Sequence, residues 1–243
     1  MTRASGSEPS RDESRSGPDP GHLLTDQLRL MAARFPQETA FVDLGGDRSL
    51  TFAAWDAASD RAASALVRAG VEKGDRVAIF VPMDESLEWV TAYAAIHKAG
   101  AVAVPTNTRL ASRELEYVLA HSAVVAAFAG SGTADVLSAL RGAIPSLRWV
   151  AVTSEHSSRD TPWSGLGDDT EPVQVDVGPD DMADIMYTSG TTGRPKGVVV
   201  RHRNVAMVPN GLPNWTGDGW LHSSPLFTFA GISSIFNPMK LGM

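Results

Sequence analysis

The sequence predicts an α/β protein with a parallel sheet flanked by helices. Three observations carry that expectation. Short apolar runs alternate with helix-patterned segments through the middle of the chain, the βαβα order of a parallel sheet with crossover helices. The strand-like runs are apolar at successive positions rather than at every second one, as strands covered on both faces require. At 243 residues, 43% of them hydrophobic, the chain has enough apolar material for such a layered core.

The elements follow in order. Residues 1–20, rich in Ser, Pro, Gly and mixed charge, read as a disordered tail. Leu24, Leu28, Met31 and Phe35 recur at helical spacing, and Pro36 closes that segment. "TAFVDLGGDRSLTF" reads as two short strands joined across Gly45, Gly46 and Asp47. "AAWDAASDRAASALVRAG" is an alanine-rich helix that stops at Gly70. Then come the strand "RVAIFV", a helix over residues 84–99 ending at Gly100, the strand "AVAVP", the helix "SRELEYVLAHS" and the strand "AVVAAFAG". Residues 133–142 make a short helix before the strand "LRWVAVT", and the polar residues 154–180 read as one long loop. "ADIMYT" and "GVVVRH" are strand-like runs on either side of a glycine-rich segment. Near the end, Ile232, Ile235, Phe236 and Met239 form one apolar helix face with little sequence left to cover it. That face is therefore expected to be exposed and to make the chain poorly soluble.

Composition removes several function classes. Twenty-one basic residues stand against 28 acidic ones, a formal charge of −7, so nucleic acid and anionic membrane surfaces are not expected partners. The absence of cysteine rules out disulfides, thiolate metal ligands and a cysteine nucleophile. The N-terminal residues lack the apolar core of a signal peptide. The longest apolar region, "WVTAYAAIHKAGAVAVP", is interrupted by His97, Lys98 and Gly100, so no membrane span is expected. A soluble, cytoplasmic protein follows; oligomeric state is not legible.

Residues 187–197, "YTSGTTGRPKG", hold three glycines, four Ser/Thr hydroxyls, an arginine and a lysine. A flexible surface turn and a cradle for a polyanion both fit that composition. Glycines let several backbone N–H groups converge on one set of oxygens, and small hydroxyls add donors. Pro195 stiffens the exit, and Lys196 offers a compact positive charge suited to phosphate. The spacing is not that of a Walker loop, and "GLGDDT" at 165–170 lacks the third glycine of a dinucleotide fingerprint. No G-x-S-x-G or H-E-x-x-H pattern occurs, no residue is singled out as a metal ligand, and His97, His121 and His202 read as structural or solvated.

The stretch "YTSGTTGRPKGVVVRHRN" resembles the phosphate loop of adenylate-forming (AMP-binding) enzymes. "AAIHKAGAVAVPTNTRLASRELEYVLAHS" and "SSPLFTFAG" resemble the acyl-CoA synthetase branch of that superfamily. The resemblance implies ATP-dependent activation of a carboxylic acid to an acyl-adenylate, with transfer to CoA in the complete enzyme. It assigns Thr188, Ser189, Gly190, Thr191, Thr192, Gly193 and Lys196 to the β- and γ-phosphates of ATP, with Mg2+ accompanying the nucleotide. It places Phe227, Thr228 and Gly231 near the acid. Amino-acid-activating relatives usually carry an aspartate at about Thr228, so a plain fatty or aryl acid is expected as the small-molecule partner.

Family enzymes run to roughly twice this size, beyond a typical single domain. The resemblance therefore implies an N-terminal fragment: a first αβα lobe at residues 73–215, and an incomplete second αβ lobe begun by residues 21–72 and 216–243. On that reading the chain alone is expected to make no acyl-CoA. The alternative expectation is a truncated, non-catalytic nucleotide- or partner-binding module.

Overall fold

The computed structural model describes residues 21, 23–45, 47–154, 160–168, 171–188, 194–205 and 208–243. The tail at 1–20 lies outside them. Helix α1 (Leu24–Arg34) buries Leu24, Leu28 and Met31, as their spacing requires. The hairpin β1 (Thr39–Asp43) and β2 (Arg48–Thr51) forms a separate two-stranded antiparallel sheet. Helix α2 (Phe52–Arg68) starts where the Thr51 hydroxyl accepts a hydrogen bond from the Ala54 N–H at 3.2 Å. It is closed by Gly70, whose φ of +79° suits the residue after a helix end.

From there the chain lays down β3 (Arg76–Phe80), α3 (Ser86–Lys98), β4 (Val102–Pro105), α4 (Ser112–His121), β5 (Val124–Ala129), α5 (Ala134–Leu140) and β6 (Trp149–Val152). The strands β7 (Thr161–Pro162), β8 (Met182–Thr188) and β9 (Lys196–Arg201) follow, then helices α6 (His202–Val205) and α7 (Phe229–Lys240). Seven strands make the main sheet, in the order β7-β6-β5-β3-β4-β8-β9. At the central strands β3, β4 and β5 both faces are apolar and covered. Val77 and Ile79 of β3 pack into the layer of α1, α2, α3 and α7, while Ala78 and Phe80 pack with α4 and α5. The strand alternation thus serves two cores, which is why every position reads as hydrophobic.

Helix α3 is buried from Trp89 through Lys98, because it lies between the sheet and the outer helices. Trp55 of α2 donates its indole N–H to the Val90 carbonyl at 3.1 Å, fixing the two helices against each other. Lys98 is buried but paired, with Asp56 at 2.6 Å and Asp60 at 2.9 Å.

Two expectations need correction, and the sheet gains one detail. The sheet is not wholly parallel: β9 runs antiparallel to β8, pairing Tyr187 with Gly197 and Thr188 with Lys196. The segment between these strands is a hairpin connection, too short for the crossover a parallel neighbour needs. The 154–180 region is not loop throughout, since β7 adds an edge strand to β6 and residues 163–166 form a 3₁₀ turn. The apolar face of α7 is not exposed. Ile232, Ile235, Phe236 and Met239 are all buried, with Phe236 5.3 Å from the Trp55 ring and 6.2 Å from Tyr93. The α1–α3 layer, formed early in the sequence, supplies the cover.

Candidate functional site at the β8–β9 hairpin

Open α/β sheets bind ligands at the carboxyl ends of their strands, by preference where the strand order reverses. Here that crevice lies between β3 and β5, and the chain's own residues fill it. A Cβ on Gly130 would overlap the Pro82 ring, and Glu85 accepts from the Ser131 N–H at 3.0 Å and from the Ser131 and Thr153 hydroxyls. The hairpin of β8 and β9 opens at the same carboxyl end of the sheet, because β8 runs parallel to β4.

Thr188 is the last residue of β8 and Lys196 the first of β9; they face each other in register and both are exposed. Ser189, Gly190, Thr191, Thr192 and Gly193 lie outside the described residues. The flanks are built for close approach. A Cβ on Gly197 would stand 2.9 Å from Ile185 Cγ2 and 3.3 Å from Tyr187 Cζ, so glycine there leaves room for the Tyr187 ring. The Tyr187 hydroxyl lies 2.7 Å from His121 Nδ1 on α4. The Arg194 guanidinium sits over the Tyr117 ring of the same helix at 5.7 Å.

Phe227, Thr228 and Gly231 gather at the start of α7, on a different element from the hairpin. Thr228 caps the helix: its hydroxyl accepts from the Gly231 N–H at 3.1 Å and donates to the Pro225 carbonyl at 2.7 Å. Gly231 is buried where a Cβ would overlap that same Pro225 oxygen. Thr228→Ala should cost about 1 kcal/mol through loss of the cap, read as a lower urea midpoint. A cavity of about 830 Å³ opens between the β1–β2 hairpin, α2, the start of α3 and the C-terminal half of α7. Trp55, Val90, Trp215 and Ile235 are among its lining, but none of the sequence-assigned site residues is. It therefore does not bear on the phosphate-loop assignment.

Histidines that the sequence reads as structural or solvated lie beside β8. His202 is buried beside His97, ring centroids 5.1 Å apart, and burial followed by the His97 charge lowers its pKa from 6.5 to about 3. Asp181 opposes that shift and Lys73 adds to it. The unfolded chain thus takes up a proton near pH 6.5 that the folded chain refuses until about pH 3. Stability should fall as pH drops through that window, and His202→Gln should flatten the fall in urea midpoints measured from pH 7 to 4. Among the described residues no helix is long and apolar enough to cross a membrane, and no cluster of His, Asp or Glu is placed to hold a metal ion.

A mostly parallel, helix-flanked sheet with a Gly/Thr/Lys hairpin at its carboxyl edge is the N-terminal architecture of an adenylate-forming enzyme. The chain belongs to the AMP-binding enzyme family, whose pattern matches residues 28–243. It is 33% identical over 229 residues to the long-chain-fatty-acid–CoA ligase FadD13 of Mycobacterium tuberculosis, covering 88% of this chain and 42% of that protein. It is 37% identical over 183 residues to a 3-hydroxybenzoate–CoA/4-hydroxybenzoate–CoA ligase of Thauera aromatica, covering 73% of this chain and 34% of the relative. The inhibitor-bound crystal structure of the N-terminal domain of FACL13 from M. tuberculosis superposes with a TM-score of 0.79 at 30% identity, covering 91% of this chain and 56% of that one. The chain thus spans less than half the length of the curated relatives it matches.

Proposed function

We propose that this chain supplies the triphosphate grip and part of the acid site of a carboxylic acid–CoA ligase. The acid's carboxylate attacks the α-phosphorus of ATP, pyrophosphate leaves, and the CoA thiol then takes the acyl group from the adenylate. The obstacle is repulsion between a carboxylate and a polyphosphate, so the protein's work is to neutralise and position charge. Thr188 and Lys196, with the residues between them, hold the β- and γ-phosphates. Mg2+ accompanying the nucleotide would add further neutralising charge at the phosphates. The acid is fatty or aryl, because Thr228 brings no charge to meet a substrate ammonium and the relatives are named for fatty and hydroxybenzoic acids. The division into lobes at 73–215 and at 21–72 with 216–243, and a cytoplasmic location, belong to the same reading.

The single observation that carries this proposal is the exposed Thr188–Lys196 pair closing a hairpin at the sheet's carboxyl edge. Calorimetric titration tests it. MgATP should bind and be displaced by inorganic tripolyphosphate, while AMP, which lacks the β- and γ-phosphates, should compete weakly. Equal affinity for AMP and ATP would move the phosphate site elsewhere.

A further inference from the structure

The strand that delivers the phosphate loop has only a short backbone register with the parallel part of the sheet. On its parallel side β8 has the register pair Ala103↔Asp184, and on the other side it pairs with β9, an edge strand whose Val198 and Val199 are each 49% exposed. Side chains therefore share in fixing how far β8 extends and how it is turned.

Asp184 stands at that one register point. Its side chain is 1% exposed, between the apolar residues Ala183 and Ile185. Tyr93 donates its hydroxyl to Oδ2 at 3.2 Å, and His97 Nε2 lies 3.3 Å from Oδ1 and 3.2 Å from the Ala183 carbonyl. Tyr93 and His97 are four residues apart on α3, hence on one face, with rings 4.4 Å apart edge-on. Burial, aided by the charge of Asp184, raises the Tyr93 pKa well above its usual value, so the hydroxyl remains a donor at neutral pH. An apolar side chain would fill this space without the desolvation cost of a carboxyl group, and buried polar groups of this kind are best attested as devices that fix register. On the opposite face, His121 meets Tyr187 and Tyr117 meets Arg194, so α4 contacts a residue of β8 and one just before β9.

We propose that Asp184, gripped by Tyr93 and His97, is a positioning residue that sets where Thr188 and Lys196 stand at the sheet edge. The proposal rests on the reading of residues 188–197 as a triphosphate loop. Asp184 lies four residues before Thr188, about 13 Å along an extended strand, so it acts through β8 and not by touching the nucleotide.

The test pairs amide hydrogen exchange with MgATP titration on the full chain. In the double variant Tyr93→Phe/Asp184→Leu both partners become apolar and His97 keeps the Ala183 carbonyl, so the urea midpoint should stay close to the parent's. Exchange in residues 182–188 and 196–201 should nevertheless quicken roughly tenfold, and MgATP affinity should fall by a similar factor. Asp184→Asn, which keeps an acceptor for Tyr93, should restore both. If the double variant does not fold, Tyr93→Phe alone decides, with the same direction and a smaller change. Parent-like exchange at β8 and β9 overturns the proposal, as does parent-like affinity alongside faster exchange. A parent chain that binds no MgATP defeats the phosphate-loop reading, and with it the ligand-positioning role, while exchange still reports whether Asp184 anchors the strand.

Discussion

Lys196→Ala is expected to lower MgATP affinity roughly 10- to 100-fold, because a hydrogen bond to a charged group contributes about 1.5–3 kcal/mol. The unfolding midpoint should not move. Lys196 is exposed at the first position of β9, and its side chain makes no hydrogen bond or ion pair among the described residues. Its register partner, Thr188, is held by backbone pairing that alanine preserves. Lys196→Arg refines the result: a planar guanidinium keeps the charge but presents a fork in place of a compact ammonium, so partial recovery marks a point-charge contact. Affinity should also weaken with added salt, since an exposed charge is screened over about 8–10 Å at ordinary ionic strength. Titration of MgATP and tripolyphosphate into parent and variant, with circular dichroism to verify the fold, checks each part. Unchanged affinity in Lys196→Ala would remove the lysine from the site.

Local periodicity and long-range pairing differed sharply in how well they could be read. The helix over Leu24, Leu28 and Met31 and the β1–β2 hairpin are properties of a few adjacent residues, and they are legible. The direction of β9 was legible in principle, since the short 189–195 connection cannot cross over a sheet, but an apolar run carries no sign of direction. The cover over α7 could not be read locally, because Trp55 and Tyr93 lie far from Phe236 in sequence and periodicity reports a face without naming what lies against it. Asp184 did leave a signal: one carboxylate in a buried-type strand demands partners. Its partners, Tyr93 and His97, sit on an alanine-rich helix as an i, i+4 pair, and only the fold brings the two segments together. At the start of α7, the family resemblance assigns Thr228 and Gly231 a substrate role, although Thr three residues before Gly also fits an N-cap hydroxyl reaching a backbone N–H. The structure gives that local role a full set of hydrogen bonds.

Gly231→Ala should therefore be the most destabilising of these substitutions, by about 1–3 kcal/mol, the usual cost of overpacking a filled site. The atoms in the way are backbone, the Pro225 carbonyl and, at 2.7 Å, the Leu226 Cα, so no side-chain rotation can relieve the overlap. Pro225 cannot retreat freely either, since its oxygen accepts from both the Thr228 N–H at 3.0 Å and the Thr228 hydroxyl at 2.7 Å. Relief must come from moving α7, which drags Ile232, Ile235, Phe236 and Met239 against Trp55 and the α1–α3 layer. The near-ultraviolet dichroism of the tryptophans should change together with the urea midpoint. If Gly231 serves only as this contact, then at temperatures where the variant is fully folded its MgATP affinity should match the parent's, because the β8–β9 hairpin is a separate element. A loss of acid-dependent thioester formation in the complete enzyme, with MgATP affinity intact, would show that the same close contact also shapes the acid site.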